Sequence, residues 1–382
     1  MNGVAISGIE MTTAVGPDVR TSAAAFRAGV IRARALEHFT ALDDEETDVG
    51  PICGHVAVPN ALHTEGLGKI VALGSGPLRG LVEASGPRNG GRTGFYLAIP
   101  NHSLREETFL DVGALVAAGT QPIVPAGEDD EVPRSIRIAE QCRDHLIERL
   151  TRAANIRLAP THHDIAFGDN SAFLRALDAA YVALTSGIVE RAIVGGIDSY
   201  IDGPSLEWGM ANRRMKSDTN PTGFAPGEAA VFLELIMQPS ANTPVYCHLS
   251  RPGFGEEPGQ AGAAEMEPPR GSGIAQAVRE AMTNAGRPVG LVITDLNGDA
   301  MRAMDWGWAL VRSATEYPAL RDAPVWTPAA SFGETGCASA GLAIGVAARG
   351  FSRRYARTDS VLIVSTSATG ERGAVVLNAT PG

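Results

Sequence analysis

The most constraining feature of the chain is the stretch FGDNSAFLRALDAAYVALTSGIVERAIVGGIDS, residues 167–199. It reads as a sharp polar turn, a helix with few polar positions and a β-rich run carrying paired glycines. A helix that is apolar on nearly every face has to be covered on nearly every face. The rest of the chain must therefore supply more than one layer of structure around it. Locally, Asp169 or Ser171 can cap the helix by accepting from its free N–H groups, and Gly187 can end it with a positive φ. The turn is laid out like one that presents a nucleophile, yet its tip is Asn170, whose amide can hydrogen-bond but cannot form an acyl thioester.

The remaining sequence alternates in the same manner. The opening VAISGIEMTTAVG predicts a strand and loop, and PDVRTSAAAFRAGVIRARAL takes helical period through Val19, Ala23, Phe26 and Val30. From Leu42 to Ser85 the chain is acidic and then Gly/Pro-rich, which predicts surface loops with weak structure. RTGFYLAIPN predicts a buried strand, SIRIAEQCRDHLIERLTRAAN a helix, and IRLAPTHHDIAFGD an extended run into the turn. Arg251–Gly273 is Pro/Gly/Glu-rich and reads as a loop before the helix IAQAVREAMTNAG. VGLVITDLNGD is a core strand opening into a polar loop, AMDWGWALVRSA is helical, and SFGETGCASAGLAIGVAARGF is a glycine-rich turn into a small-residue helix. DSVLIVSTSATGERGAVVLN closes the chain as a hairpin-like pair. This alternation specifies an α/β protein with sheets buried by helices.

With 382 residues, 44% of them hydrophobic, the chain can bury a large core, which excludes a disordered protein. A formal net charge of −11 gives no global attraction to nucleic acid or anionic lipid, and no run of 18 apolar residues spans a membrane. Cys53, Cys142, Cys247 and Cys337 are scattered, without disulfide-framework or zinc spacing, and fit a reducing cytoplasm. No cofactor and no metal is expected. In the pair His162–His163 followed by Asp164, only His162 and Asp164 share a face of an extended strand, too few ligands for an ion. Trp306 and Trp308, near Met301 and Met304, fill core or interface space.

Several segments, in order, resemble the ketoacyl synthase branch of the thiolase fold. They are VAISGIEMTTAVGPDVRTSAAAFRAG, ALTSGIVERAIVGGIDS, GFAPGEAAVFLEL, DLNGDAMRAMDWGWAL, SFGETGCASAGLAIGVAARG and STSATGERGAVVL. The resemblance implies a five-layer αβαβα sandwich of two pseudo-duplicated halves, residues 1–245 and 246–382, packed as one unit. It also implies a dimer formed through the strand that leads into the turn.

Members of that family use a cysteine at the head of a buried helix, two histidines and a lysine. Counting back from Gly196 puts the cysteine position at Asn170; the histidine positions fall at Asn297 and Thr335, 38 residues apart, and the lysine position at Ala330. The eight histidines are residues 38, 55, 63, 102, 145, 162, 163 and 248, so no shift of register restores two in the C-terminal third. A gating phenylalanine would fall at Ala368, while Phe173 lies just inside the helix and suggests a reshaped or filled pocket. Glu228 is implied to be a structural carboxylate near the site. The expectation is a catalytically degenerate protein that acts by binding. As a chain-length-factor-like subunit it would form a homodimer or a heterodimer with a paralogue and meet an acyl carrier protein; as an adaptor or chaperone it would meet a secreted effector. The alternatives are acyl transfer through Ser171, for which a helix cap is the commoner role, and a true 3-oxoacyl synthase using Cys337 or Cys142.

Overall fold

The computed structural model describes residues 3–37, 39, 50–58, 61, 64, 66–86, 91–101, 145–237, 243–259 and 267–380. The strands are β1 (Val4–Thr12), β2 (Arg34–Ala35), β3 (Cys53–Gly54), β4 (Thr93–Pro100), β5 (His162–Gly168), β6 (Arg191–Ser199), β7 (Glu228–Ile236), β8 (Cys247–Leu249), β9 (Gly253–Glu256), β10 (Leu291–Thr294), β11 (Val325–Trp326), β12 (Ser360–Thr366) and β13 (Glu371–Ala379). The helices are α1 (Val19–Arg27), α2 (Gly66–Ser85), α3 (145–153), α4 (Ala172–Thr185), α5 (Gly203–Ala211), α6 (Ser272–Ala285), α7 (Ala300–Glu316), α8 (Ala329–Phe332) and α9 (Ser339–Ser352).

One strand plan occurs twice. The first set runs β1-β7-β6-β4-β5 and the second β8-β13-β12-β10-β11. Numbered within its own set, each is ordered 1-5-4-2-3. In each the first two pairings are antiparallel and the last two parallel. β8 pairs with both β1 and β13, so the two sets meet along a shared seam.

Helices α4 and α9 occupy equivalent places in the two sets and pack together in the same core cluster between them. α4 is rich in Ala and α9 in Ala and Gly, small side chains that let backbones approach closely. α2 and α3 cover the outer face of the first set through Leu73, Leu81, Leu146 and Leu150 against Phe95 and Phe232. α6 and α7 cover the second through Ile274, Val278 and Ala309. The result is the five-layer αβαβα arrangement of two duplicated halves. Among the described residues no helix is long and apolar enough to cross a membrane.

Five local expectations change, one of them the Arg251–Gly273 loop, in which β9 pairs with β13 because its backbone groups find partners along that strand. The Leu42–Ser85 segment is not all loop: α2 spans 20 residues and carries Pro77 inside it. Its Gly and Pro content lowers helix propensity, but burial of Ile70, Leu73, Leu78 and Leu81 against the sheet overrides that weak local signal. α1 stops at Arg27, leaving Val30 outside it and 39% exposed. The Ser171 side chain makes no capping bond, whereas Gly187 follows the end of α4 with φ of 69°. Trp306 packs on the second core, but Trp308 is 54% exposed. The first part of the helix expected over 135–155 lies outside the described residues, as does Cys142.

Gly196 on β6 shows how tightly the layers meet. A Cβ there would lie 2.6 Å from the Cys337 carbonyl oxygen and 2.6 Å from Phe173 Cδ2. Gly196→Ala is expected to destabilise by about 1–3 kcal/mol through overpacking, read as a lower denaturation midpoint at unchanged m-value.

Candidate functional site

β5 ends at Gly168 and α4 begins at Ala172, so residues 169–171 form the turn that carries Asn170 to the seam between the halves. Asn170 is fully buried. Its Nδ2 donates to Asp295 Oδ2 at 3.2 Å, to Glu334 Oε1 at 3.1 Å and to Ser339 Oγ at 3.4 Å. Two carboxylates on one side fix the amide orientation, because only the NH2 group can face them both. Its Oδ1 is buried without a hydrogen-bond partner.

The residues that hold Asn170 come from the loops after β10 and α8. Asn297 Nδ2 donates to Glu334 Oε2, which also accepts from Arg302 at 2.6 Å. Arg302 further donates to the Asp295 carbonyl at 2.9 Å, and its Nη1 lies 3.8 Å from the Asp295 carboxylate. The Gly336 N–H donates to Glu334 Oε1 at 2.8 Å. Asp295 accepts from the Thr366 N–H at 2.7 Å and from its hydroxyl at 3.1 Å. Burial pushes the Asp295 carboxyl up to about 6, and the Glu334 charge adds to this; Arg302 and the Thr366 hydrogen bonds offset it only in part.

Asn170 and Asn297 thus meet on one carboxylate, Glu334. Thr335 joins indirectly, its hydroxyl lying 3.0 Å from the Ser339 Oγ that Asn170 touches. Ala330 is exposed on α8 and takes no part. Glu334, Asp295 and Arg302 escaped sequence reasoning. The available signal was the acid at residue 334 inside the glycine-rich turn that precedes a small-residue helix, where a charge needs a partner.

Two amide donors around the turn are already engaged. The Ser171 N–H donates to Ser367 Oγ at 3.0 Å, and the Ala368 N–H to Asp169 Oδ2 at 3.0 Å. Asp169 also accepts from the Tyr200 hydroxyl at 3.0 Å. Ser171 Oγ donates to Glu371 Oε1 at 2.6 Å and lies 2.6 Å from Ser367 Oγ. Glu371 is itself paired with Arg175 at 2.5 Å, and Ser171 is only 2% exposed.

Phe173 is a core residue. It fits between Gly196 and Gly341, where an added Cβ would lie 2.6 Å and 2.7 Å from its ring. Glu228 is a buried structural anchor: it pairs with Lys69 at 3.2 Å and accepts from the Ala57 and Val58 N–H groups at 3.0 and 3.2 Å. Ala368, by contrast, lines an open cavity of about 240 Å³ bounded also by Arg302. Cys337 is fully buried; its N–H donates to Asp198 at 2.9 Å and its Sγ to the Gly168 carbonyl at 3.5 Å. His162 packs on Tyr96 with the rings tilted at 50° and their centroids 5.8 Å apart. Among the described residues no group of three or more His, Cys, Asp or Glu side chains is arranged to hold a metal. One imidazole reaches the region from far away in sequence: buried His55 bonds the Ser331 carbonyl through Nδ1 at 3.0 Å, and burial lowers its basicity despite that contact.

No protein-family model matches the chain, and no curated protein sequence matches it. Solved structures do. The ishigamide ketosynthase/chain length factor is similar over 99% of this chain and 100% of that one, at 18% identity and a TM-score of 0.66. A type II polyketide ketosynthase, solved in complex with its acyl carrier protein and bound to the hexaketide, is similar over 100% of both chains at 14% identity and a TM-score of 0.73. The oxazolomycin ketosynthase domain from Streptomyces albus gives 14% identity and a TM-score of 0.73, over 100% of this chain and 75% of that one. The fold is therefore that of the ketosynthases.

Proposed function

We propose that this protein is a ketosynthase-like binding subunit, related in manner of action to chain-length factors, that does not itself condense acyl units. The observation that carries this reading is the Asn170 amide, held in a buried network with Asp295, Glu334 and Ser339 where the resemblance expects a nucleophile. The described bonds of that network include neither thiol nor imidazole. The engaged N–H groups of Ser171 and Ala368 fit the same conclusion, since donors already satisfied have no capacity for a developing oxyanion.

β5, which leads into the turn, is the last strand of its sheet among the described residues, and an edge of this kind pairs readily with a second chain. A homodimer or a heterodimer with a paralogue fits that edge. An acyl carrier protein is the further partner suggested by the complex noted above.

The test is intact-mass analysis of the purified chain with acyl-CoA and malonyl-loaded carrier protein over several chain lengths. Neither an acyl adduct nor a condensation product is expected, and Asn170→Cys alone is expected to restore no condensation, because Glu334 and Arg302 still fill the opposing side. Condensation by the unmodified chain would overturn the reading. Capture from the native host of a ketosynthase or carrier protein supports the subunit role, whereas capture of a secreted effector alone would replace it with an adaptor role.

A further inference from the structure

The cavity of about 240 Å³ lies on the outer side of the Arg302 guanidinium, at the head of α7. Four of its lining residues are arginines, in a chain whose net charge is −11. Arg213 and Arg214 stand on the accessible side, while Arg302 and Arg372 are buried. Asp299 and Asp305 line it as well. Asp299 is bonded to Arg214 at 2.9 Å and caps α7 through the Met301 N–H at 2.9 Å. Burial pushes its carboxyl up, but Arg214, Arg302 and the Met301 N–H together more than offset this and hold it below the usual range.

Asp305 differs. It is 1% exposed, and its Oδ2 accepts from Arg372 at 2.7 Å, but its Oδ1 has no hydrogen-bond partner. A buried carboxylate oxygen left unsatisfied is costly and favours any donor that reaches it. Burial raises this carboxyl, and the Arg372 charge beside it compensates only in part. A backbone hydrogen bond from Gly271 to this carboxyl lowers it as well, and it stays raised.

An acceptor of this kind wants a charged N–H donor, and the arginine-lined side wants an anion. We propose that the cavity binds a small zwitterionic metabolite, its primary amine donating to Asp305 Oδ1 and its carboxylate or phosphate facing Arg213 and Arg214. Arg302, which lines this cavity, bonds the Glu334 carboxylate that also accepts from Asn170. The assignment does not rest on the subunit reading above.

Calorimetric titration of the full chain tests it, with O-phosphoethanolamine and β-alanine as two-ended probes. Ethanolamine and inorganic phosphate serve as one-ended controls, and 4′-phosphopantetheine as the carrier-protein arm, which has a phosphate but no ammonium. A two-ended probe is expected to bind at least about tenfold more tightly than either half, the value of one charge-assisted hydrogen bond. Asp305→Asn is expected to bring O-phosphoethanolamine down to the affinity of phosphate. Should that variant fail to fold with Arg372 unpaired, Arg213→Ala, on the exposed rim, still reads the anion end as a loss of affinity at an unchanged thermal midpoint. The proposal fails if neither two-ended probe binds, if the halves bind as well as the whole, or if 4′-phosphopantetheine binds as tightly as O-phosphoethanolamine.

Discussion

Arg302→Met is expected to lower the unfolding free energy by about 3–5 kcal/mol at neutral pH, the cost of leaving a buried ion network without its cation. Arg302 is 8% exposed and faces Glu334 at 2.6 Å and Asp295 at 3.8 Å. Methionine keeps much of the volume and removes the charge, so the loss is electrostatic rather than a cavity effect. The pH dependence gives a second reading. Asp295 has its carboxyl raised from an ordinary 3.8 to about 6, so the native state binds more protons than the unfolded chain between those values. Its contribution to stability is present below 3.8 and lost as pH rises through about 6. Without Arg302 the carboxyl rises further, so the same decline extends to higher pH and the variant's deficit shrinks on acidification. Urea denaturation at mildly acidic and mildly alkaline pH measures both. A deficit that is small, or equal at the two pH values, would show that Arg302 does not hold the network together.

Lys69→Met is expected to have a comparable effect, about 3–5 kcal/mol, in the other half of the molecule. Lys69 on α2 is 1% exposed; it pairs with Glu228 and donates to the Ile201 carbonyl. Glu228 on β7 in turn accepts from Ser199 at 3.2 Å and from two backbone N–H groups of the 57–58 segment. One lysine thus ties α2, β6 and β7 together across a dry interior. Adding Glu228→Gln should recover part of the loss, since a neutral amide beside methionine leaves no unpaired charge. A double-mutant cycle by denaturation therefore predicts a coupling well above that of an exposed pair. Additive losses would contradict it.

The reasons for these two effects were unevenly legible in the sequence. The family resemblance implied a structural carboxylate at Glu228, but nothing in the sequence indicated its cation. Lys69 lies in a Gly/Pro-rich stretch that local rules read as loop. α2 forms there because its apolar side chains meet the sheet, an interaction between residues more than a hundred positions apart. Around Asn170 the contrast is similar. The absence of sulfur at the tip, and of histidine in the C-terminal third, is a plain property of the text. That Asn170 and Asn297 share Glu334, with Arg302 behind it, follows only from three loops being brought to one seam.

Ser171 illustrates the limit at the scale of one bond. Sequence reasoning gives a residue at the head of a helix the role of cap, because that is the nearest set of unsatisfied donors. In the folded chain Glu371 and Ser367 arrive from β13 and the turn before it, and a charged acceptor at 2.6 Å draws the hydroxyl away. By itself the sequence determined the layered α/β plan, the helix that must lie inside it, the glycine that ends that helix and the amide at its head, all of which depend on neighbours along the chain. Only the tertiary structure decided which charges meet, how the turn's donors are satisfied and where a cavity remains. A buried charge is tolerable only where its counter-ion arrives, and that partner is chosen by packing in space rather than by spacing in sequence.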